Sequence, residues 1–282
     1  MRIFAASVIA AVCAAVAPGV SAADFDRHFC DSTLRLDYIF GGIVSSEGTP
    51  QCTVLFDGAV RTPGWAGRRH HLDSVPLAGN GTIALLDPVK GDTLYMTSFS
   101  TLFQEWLSTS EAVECQRAFE NSFLVPVPRS DVRVSVDLRD SHGRHLGGLD
   151  HLLRPSDILI ADRSKAPAAP HRWLHRGGDS DKVIDVAILA EGYTAGEADK
   201  FYADAQTAVD AILSHEPFAS RASDFNFVAV AAPSADSGVS VPGQGEWRST
   251  AVNSNFNTFY SDRYLTTGHV RQIHECLTNI PY

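Results

Sequence analysis

The sequence is poor in positive charge. Its 282 residues include 23 lysines and arginines against 33 aspartates and glutamates, which gives a formal net charge of -10. No segment gathers the cluster of basic side chains that a phosphate backbone requires. The composition therefore predicts that nucleic acid is not a partner.

Long apolar runs are also scarce, and the one that stands out is at the start. MRIFAASVIAAVCAAVAPGVSA has a positive charge at Arg2, an apolar stretch and a small-residue ending before Ala22. This order predicts a signal peptide over residues 1–22, and no later run is long enough to be a transmembrane segment. We expect export to the periplasm, the cell surface or the medium. Lipidation at Cys13 is a minor alternative, because Val12 stands where a lipobox has a small residue.

Cysteine is rare, with five in the chain and four after residue 22. In an exported protein these four allow three disulfide pairings, and the sequence does not choose among them. No spacing resembles a zinc knuckle. The four residues are Cys30, Cys52, Cys115 and Cys276.

The first half has the alternation of β-strands. In TLRLDYIF the residues Leu34, Leu36, Tyr38 and Phe40 alternate with Arg35, Asp37 and Ile39, and VRVSVDL repeats the pattern. GTIALLD and DTLYMTSFS flank a turn and predict a hairpin, whereas TLFQEWLST predicts a short helix or loop. We predict a β-sandwich domain over residues 24–160.

A different pattern follows a segment rich in Ala, Pro, Gly and charge, which predicts a linker over 161–182. VIDVAILAEGY and FNFVAVAAP are continuous apolar runs typical of strands buried in an α/β sheet. Thr194 and Glu197 have the spacing of a capping box, which predicts that a helix begins at this point. The order predicts a βαβ unit, followed by a last helix near residues 267–278.

Three residues of the second half are candidates for lining a cleft: Glu191, Tyr193 and Trp247. Glu191 follows a buried strand, where α/β sheets place functional groups, although it could instead hold the loop by hydrogen bonds. Tyr193 and Trp247 could equally serve packing. His171 and His175 would suit a metal only on a helix, and the surrounding Pro and Gly argue against one.

His274 and Glu275 begin like the zinc-peptidase signature His-Glu-x-x-His, but Thr278 stands in place of the second histidine. The helical stripe of Val270, Ile273 and Leu277 places His274 beside a buried face. We interpret this segment as an ordinary helix, so the sequence offers no catalytic residue and no metal ligand.

Several long blocks of the chain are distinctive. They are IDVAILAEGYT, SHEPF, FNFVAVAAPSADSGVSVPGQGEW and NTFYSDRYLTT, with LRLDYIF, PGWAGRRHHLD, TSFSTLFQEWL and FENSFLVP in the first half. Together they resemble the IgA-peptidase family of bacterial secreted zinc metallopeptidases. The resemblance implies an α+β chain of two domains, a β-sandwich followed by the first βαβ part of a zincin-like catalytic domain over 183–282.

The resemblance also implies an activity: hydrolysis of peptide bonds in protein substrates, immunoglobulin included, by a zinc-activated water. Family members carry the His-Glu-x-x-His helix after the segment that corresponds to IPY, where this sequence stops. We therefore expect an amino-terminal fragment that is inactive alone and holds no zinc. A secreted binding module or pseudoenzyme that recognises a host protein or glycan is the alternative.

Overall fold

The structure is a computed structural model that describes residues 22–75 and 77–282. Residues 1–21 of the predicted signal peptide lie outside the described residues. Within the described ranges, no helix has the length and apolar character needed to cross a bilayer.

The first half forms two four-stranded sheets. Their strand orders are β5-β1-β2-β8 and β4-β3-β6-β7. The elements in chain order are α1 (Ala22–His28), β1 (Phe29–Val44), β2 (Pro50–Pro63), β3 (Gly81–Leu86), β4 (Thr93–Phe99), α2 (Leu102–Trp106), α3 (Glu111–Glu114), β5 (Arg117–Pro128), β6 (Val132–Arg139), β7 (His145–Leu153) and β8 (Ala161–Asp162).

One hydrophobic core fills the space between the two sheets. The apolar face of β1 is buried, and so is that of β6, because each strand directs alternate side chains inward. The predicted hairpin is present, since β3 and β4 are antiparallel neighbours. The predicted short helix is α2. These findings confirm a β-rich first half in which the period-two pattern marks the core.

The second half contains a smaller three-stranded sheet with the order β10-β11-β9. Its elements are β9 (His171–Arg176), β10 (Ile184–Leu189), α4 (Ala198–Leu213), β11 (Phe225–Val230) and α5 (Val270–Cys276). β10 and β11 are parallel and α4 connects them, which confirms the βαβ unit. The capping box is also present, since the Thr194 amide donates to Glu197 Oε2 at 2.8 Å.

The segment predicted as a linker, residues 161–182, contains two short strands. β8 pairs with β2 in the first half, and β9 pairs antiparallel with β11 in the second. β9 is an edge strand with one neighbour, so HRWLHR needs no long apolar run and lacks the usual signal of a buried strand. On a strand His171 and His175 are about 13 Å apart, too far to share a metal ion.

β10 is less buried than its apolar sequence predicts. None of its six residues is fully buried, whereas five of the six in β11 are. The reason is position, because β10 is at the edge of the sheet and has a neighbour on one side only. Ile184 is among the exposed large apolar side chains.

The four cysteines within the described ranges are free thiols, and all are half-buried. None of the three disulfide pairings is formed. Burial raises the pKa of the Cys52 thiol to about 11, which keeps it protonated at neutral pH.

Helix α5 joins the two halves. Ile273 and the adjoining Leu277, two of the three residues of the predicted stripe, pack against Val228 and Val230 of β11. The helix also lies against β5 of the first half. It therefore contacts a sheet of each half.

Candidate functional site

His274 and Glu275 are committed to structural contacts. Glu275 Oε1 accepts a hydrogen bond from Arg35 Nη2 of β1 at 2.6 Å. His274 Nδ1 is 2.6 Å from the Tyr282 hydroxyl. Burial lowers the pKa of His274 to about 4, so the ring is neutral at pH 7. These contacts use His274 Nδ1 and Glu275 Oε1 to hold the end of the chain against the first half.

Arg35 belongs to a charged cluster that fills the interface between the two halves. Its guanidinium donates to Asp37 Oδ2, two residues along β1, at 3.0 and 3.2 Å. Ser122 Oγ donates to the other carboxylate oxygen of Asp37 at 2.6 Å. The exposed fractions of the Arg35 and Asp37 side chains are 7% and 6%. We call Arg35, Asp37 and Glu275 the interface ion cluster.

A metal centre requires three or more suitable side chains close together. Over residues 22–75 and 77–282, no group of three His, Cys, Asp or Glu side chains is placed to hold a metal ion. The residues present therefore do not fit the zinc centre that the resemblance implies.

Glu191 follows β10 and holds the loop that comes after β11. Its carboxylate accepts hydrogen bonds from the Thr250 hydroxyl at 2.5 Å and the Val252 amide at 3.0 Å. The amide and hydroxyl of Ser254 donate to it at 2.9 and 2.6 Å. This is the loop-holding role that the sequence offered as the alternative to a catalytic one.

The surroundings of Glu191 favour the ionised form of its carboxyl group. Burial opposes ionisation, but the donors on Ser254, Thr250 and Val252 outweigh it and lower the pKa of the carboxyl group. An acid or base catalyst needs a pKa near the working pH, which this environment does not provide.

Trp247 lies on the rim of a cleft between the two halves, which has a volume of about 360 Å³. We call it the Trp247 cleft. One wall comes from β5 and the opposite wall from the loop that Glu191 holds. The residues that define it here are Arg117, Phe119, Trp247, Asn253, Asn257 and Tyr260.

Tyr193 lies outside the Trp247 cleft. Its hydroxyl donates to Asp204 of α4 at 2.9 Å, and its ring packs against Phe201 with centroids 5.4 Å apart. The structure thus brings Trp247 to the cleft, places Glu191 behind one wall and leaves Tyr193 against α4.

We expect Glu191→Gln to lower the free energy of unfolding by about 2 kcal/mol, because the amide keeps the shape but loses charge and one acceptor oxygen. Urea denaturation of the two chains measures the difference. The matched control is Glu246→Gln, since Glu246 is an exposed carboxylate of the same loop, and its change is expected to stay within about 0.5 kcal/mol. Equal losses in both variants would contradict the role assigned to Glu191.

Sequence reasoning missed the interface ion cluster and the asparagines of the cleft. The signal for the first was present, because Arg35 and Asp37 share one face of a strand whose other face is apolar. The charged face was expected to meet water. No local pattern showed that α5, more than 230 residues later, would cover it.

Comparison with protein families gives two matches along the chain. The model for the Peptidase M64 N-terminus matches residues 24–146. The model for the IgA Peptidase M64 matches residues 173–282. A comparison with curated proteins finds no match.

Proposed function

The chain belongs to the IgA peptidase family M64, and from this premise we propose that it is part of a secreted zinc metalloendopeptidase. The observation that carries the proposal is the pair of family matches, which cover both halves in order. The substrate class is protein, and immunoglobulin A, which gives the family its name, is the first substrate to test. Export rests on the signal-peptide pattern of residues 1–22.

In this proposal the described residues build the support for the active site. When bound, zinc lowers the pKa of a water molecule and polarises the substrate carbonyl. We place its ligands in residues other than those described, because no group of three His, Cys, Asp or Glu side chains in the described ranges is placed to hold a metal ion. The three-stranded sheet is the start of a zincin-like domain, and the open edge of β10 is available to a further strand.

Peptidase activity tests the proposal. The 282-residue chain is compared with a chain extended by about 100 residues encoded immediately downstream, a length within one domain. We expect the extended chain to cleave immunoglobulin A or casein, to lose activity with a chelator and to regain it with zinc. The shorter chain is expected to cleave neither.

Two results would contradict the proposal. One is a downstream sequence without a His-Glu-x-x-His helix, which would favour a binding module or pseudoenzyme. The other is an extended chain that carries this helix, binds zinc and still cleaves no protein. A Glu→Ala change within the helix is the matched control, because it removes the proton acceptor and keeps both histidines.

A further inference from the structure

The Trp247 cleft has exposed aromatic rings on its rim. The exposed fraction of Trp247 is 72% and that of Tyr260 is 86%. Large aromatic side chains are normally buried, and water-exposed rings beside a cavity are typical of binding surfaces. The volume of about 360 Å³ lies within the range of roughly 300 to 1,000 Å³ found for small-molecule sites, which also favour domain interfaces.

The loop wall of the cleft is held in an unusual shape. Phe259 and Tyr260 have φ angles of 53° and 64°, a region that bulky residues rarely adopt. Strain of this kind persists where surrounding contacts fix it, often at binding sites. Those contacts include the Glu191 hydrogen bonds and the Phe259 ring, whose centroid is 6.4 Å from that of Phe119 in β5.

The backbone of this wall is already hydrogen-bonded within the loop. Asn255 and Thr266 exchange backbone hydrogen bonds of 2.9 and 3.1 Å, and the amides of Phe256 and Tyr260 donate to Ser240 and Asn257. A peptide recognised as an added strand needs free main-chain groups. The amides of Asn255, Phe256, Tyr260 and Thr266 are therefore not free for such a strand.

Side chains supply the free polar groups instead. Asn257 Oδ1 accepts from the Gly243 amide at 2.9 Å, and within the described ranges its Nδ2 has no protein partner. Asn253 Nδ2 donates to Gln272, which leaves Oδ1 without a partner in the same ranges. The cleft thus offers an amide donor and an amide acceptor, a pair that matches hydroxyl groups able to donate and accept.

The cleft has little net charge. Glu111 and Arg117 form an ion pair of 2.8 Å at its edge and offset each other. The other residues that line the cleft include no Lys, Arg, Asp or Glu, and His269 is the one imidazole among them. The charge pattern favours a neutral ligand.

We propose that the Trp247 cleft binds a neutral carbohydrate. The apolar C–H face of a sugar ring stacks on the exposed indole, and the hydroxyl groups of the sugar bind the free amide groups of Asn253 and Asn257. This combination of a rigid aromatic surface with short amide side chains suits a ligand that is polar at its edges and apolar on its faces. The inference does not depend on peptidase activity.

Binding to an array of neutral, sialylated and sulfated oligosaccharides tests the proposal, followed by calorimetric titration of the neutral oligosaccharide that binds most tightly. Trp247→Ala is expected to weaken binding about thirtyfold, the factor for a hot-spot loss of ~2 kcal/mol. Trp247→Phe is expected to restore part of it. Asn257→Asp removes the free donor, keeps the acceptor for Gly243 and is also expected to weaken binding.

The control is Leu159→Ala, another exposed apolar side chain, in the first half of the chain, which is expected to leave binding unchanged. Absence of binding to every neutral oligosaccharide would overturn the proposal, as would unchanged binding in Trp247→Ala. Trp247-dependent binding of unglycosylated casein without any sugar binding would also overturn it and assign the cleft to polypeptide. No outcome here requires zinc or proteolysis, so the test is separate from that of the proposed function.

Discussion

Replacing Asp37 by alanine is expected to lower the free energy of unfolding by about 3 to 5 kcal/mol, the cost of leaving a buried charge without its partner. Asp37 accepts two hydrogen bonds from Arg35 and one from Ser122, and all of these would be lost. Arg35, whose side chain is buried, would keep only Glu275. Urea denaturation followed by circular dichroism measures the loss.

Asp131→Ala is the matched control for this prediction. Asp131 also pairs with an arginine, Arg154, but its side chain is substantially exposed. Exposed ion pairs contribute about 0 to 1 kcal/mol, so this variant is expected to unfold nearly as the original chain does. If both substitutions cost the same, the interface ion cluster is not the buried, tightly coupled group described here.

The second large effect is a loss of stability in mild acid that His274 causes. Burial, with a smaller contribution from Arg35, lowers the pKa of His274 to about 4, although the carboxylates of Asp37 and Glu275 act in the opposite direction. In the unfolded chain the pKa is about 6.5. Between these values the unfolded chain binds a proton that the folded chain does not, so stability falls as the pH falls. The loss amounts to about 3 kcal/mol between pH 6.5 and 4.

His274→Gln isolates this contribution, because the glutamine amide can still form a hydrogen bond with Tyr282 but does not titrate. The free energy of unfolding is measured from pH 7.5 to 4.5 in both chains. We expect the pH dependence to be shallower in the variant. His171→Gln, at an exposed site, is expected to leave the dependence unchanged. A variant as acid-sensitive as the original chain would assign the acid loss to other groups.

Much of the fold could be predicted because its signals are local. The alternation from Leu34 to Phe40 marks a strand with one core face, and Thr194 with Glu197 marks a helix start, since neighbouring atoms determine both patterns. β9 could not be predicted in this way. Its pairing depends on β11, about 50 residues later, and an edge strand needs no distinctive run.

The candidate site was less predictable for the same reason. Glu191 was identified by its place after a strand, yet its role depends on Thr250, Val252 and Ser254, which only the folded loop brings to it. Glu275 was recognised as a poor match to a zinc signature, but its partner Arg35 lies 240 positions away. A sequence pattern can show that a residue is outside a known motif without showing what it contacts.

The zinc content of the 282-residue chain tests the central claim most directly, namely that His274 and Glu275 are structural and that the described residues hold no zinc centre. The chain is saturated with zinc, dialysed against metal-free buffer and analysed by plasma mass spectrometry, beside His274→Gln as the control. We expect far less than one zinc per chain in both samples. One tightly held zinc per chain that His274→Gln abolishes would contradict it.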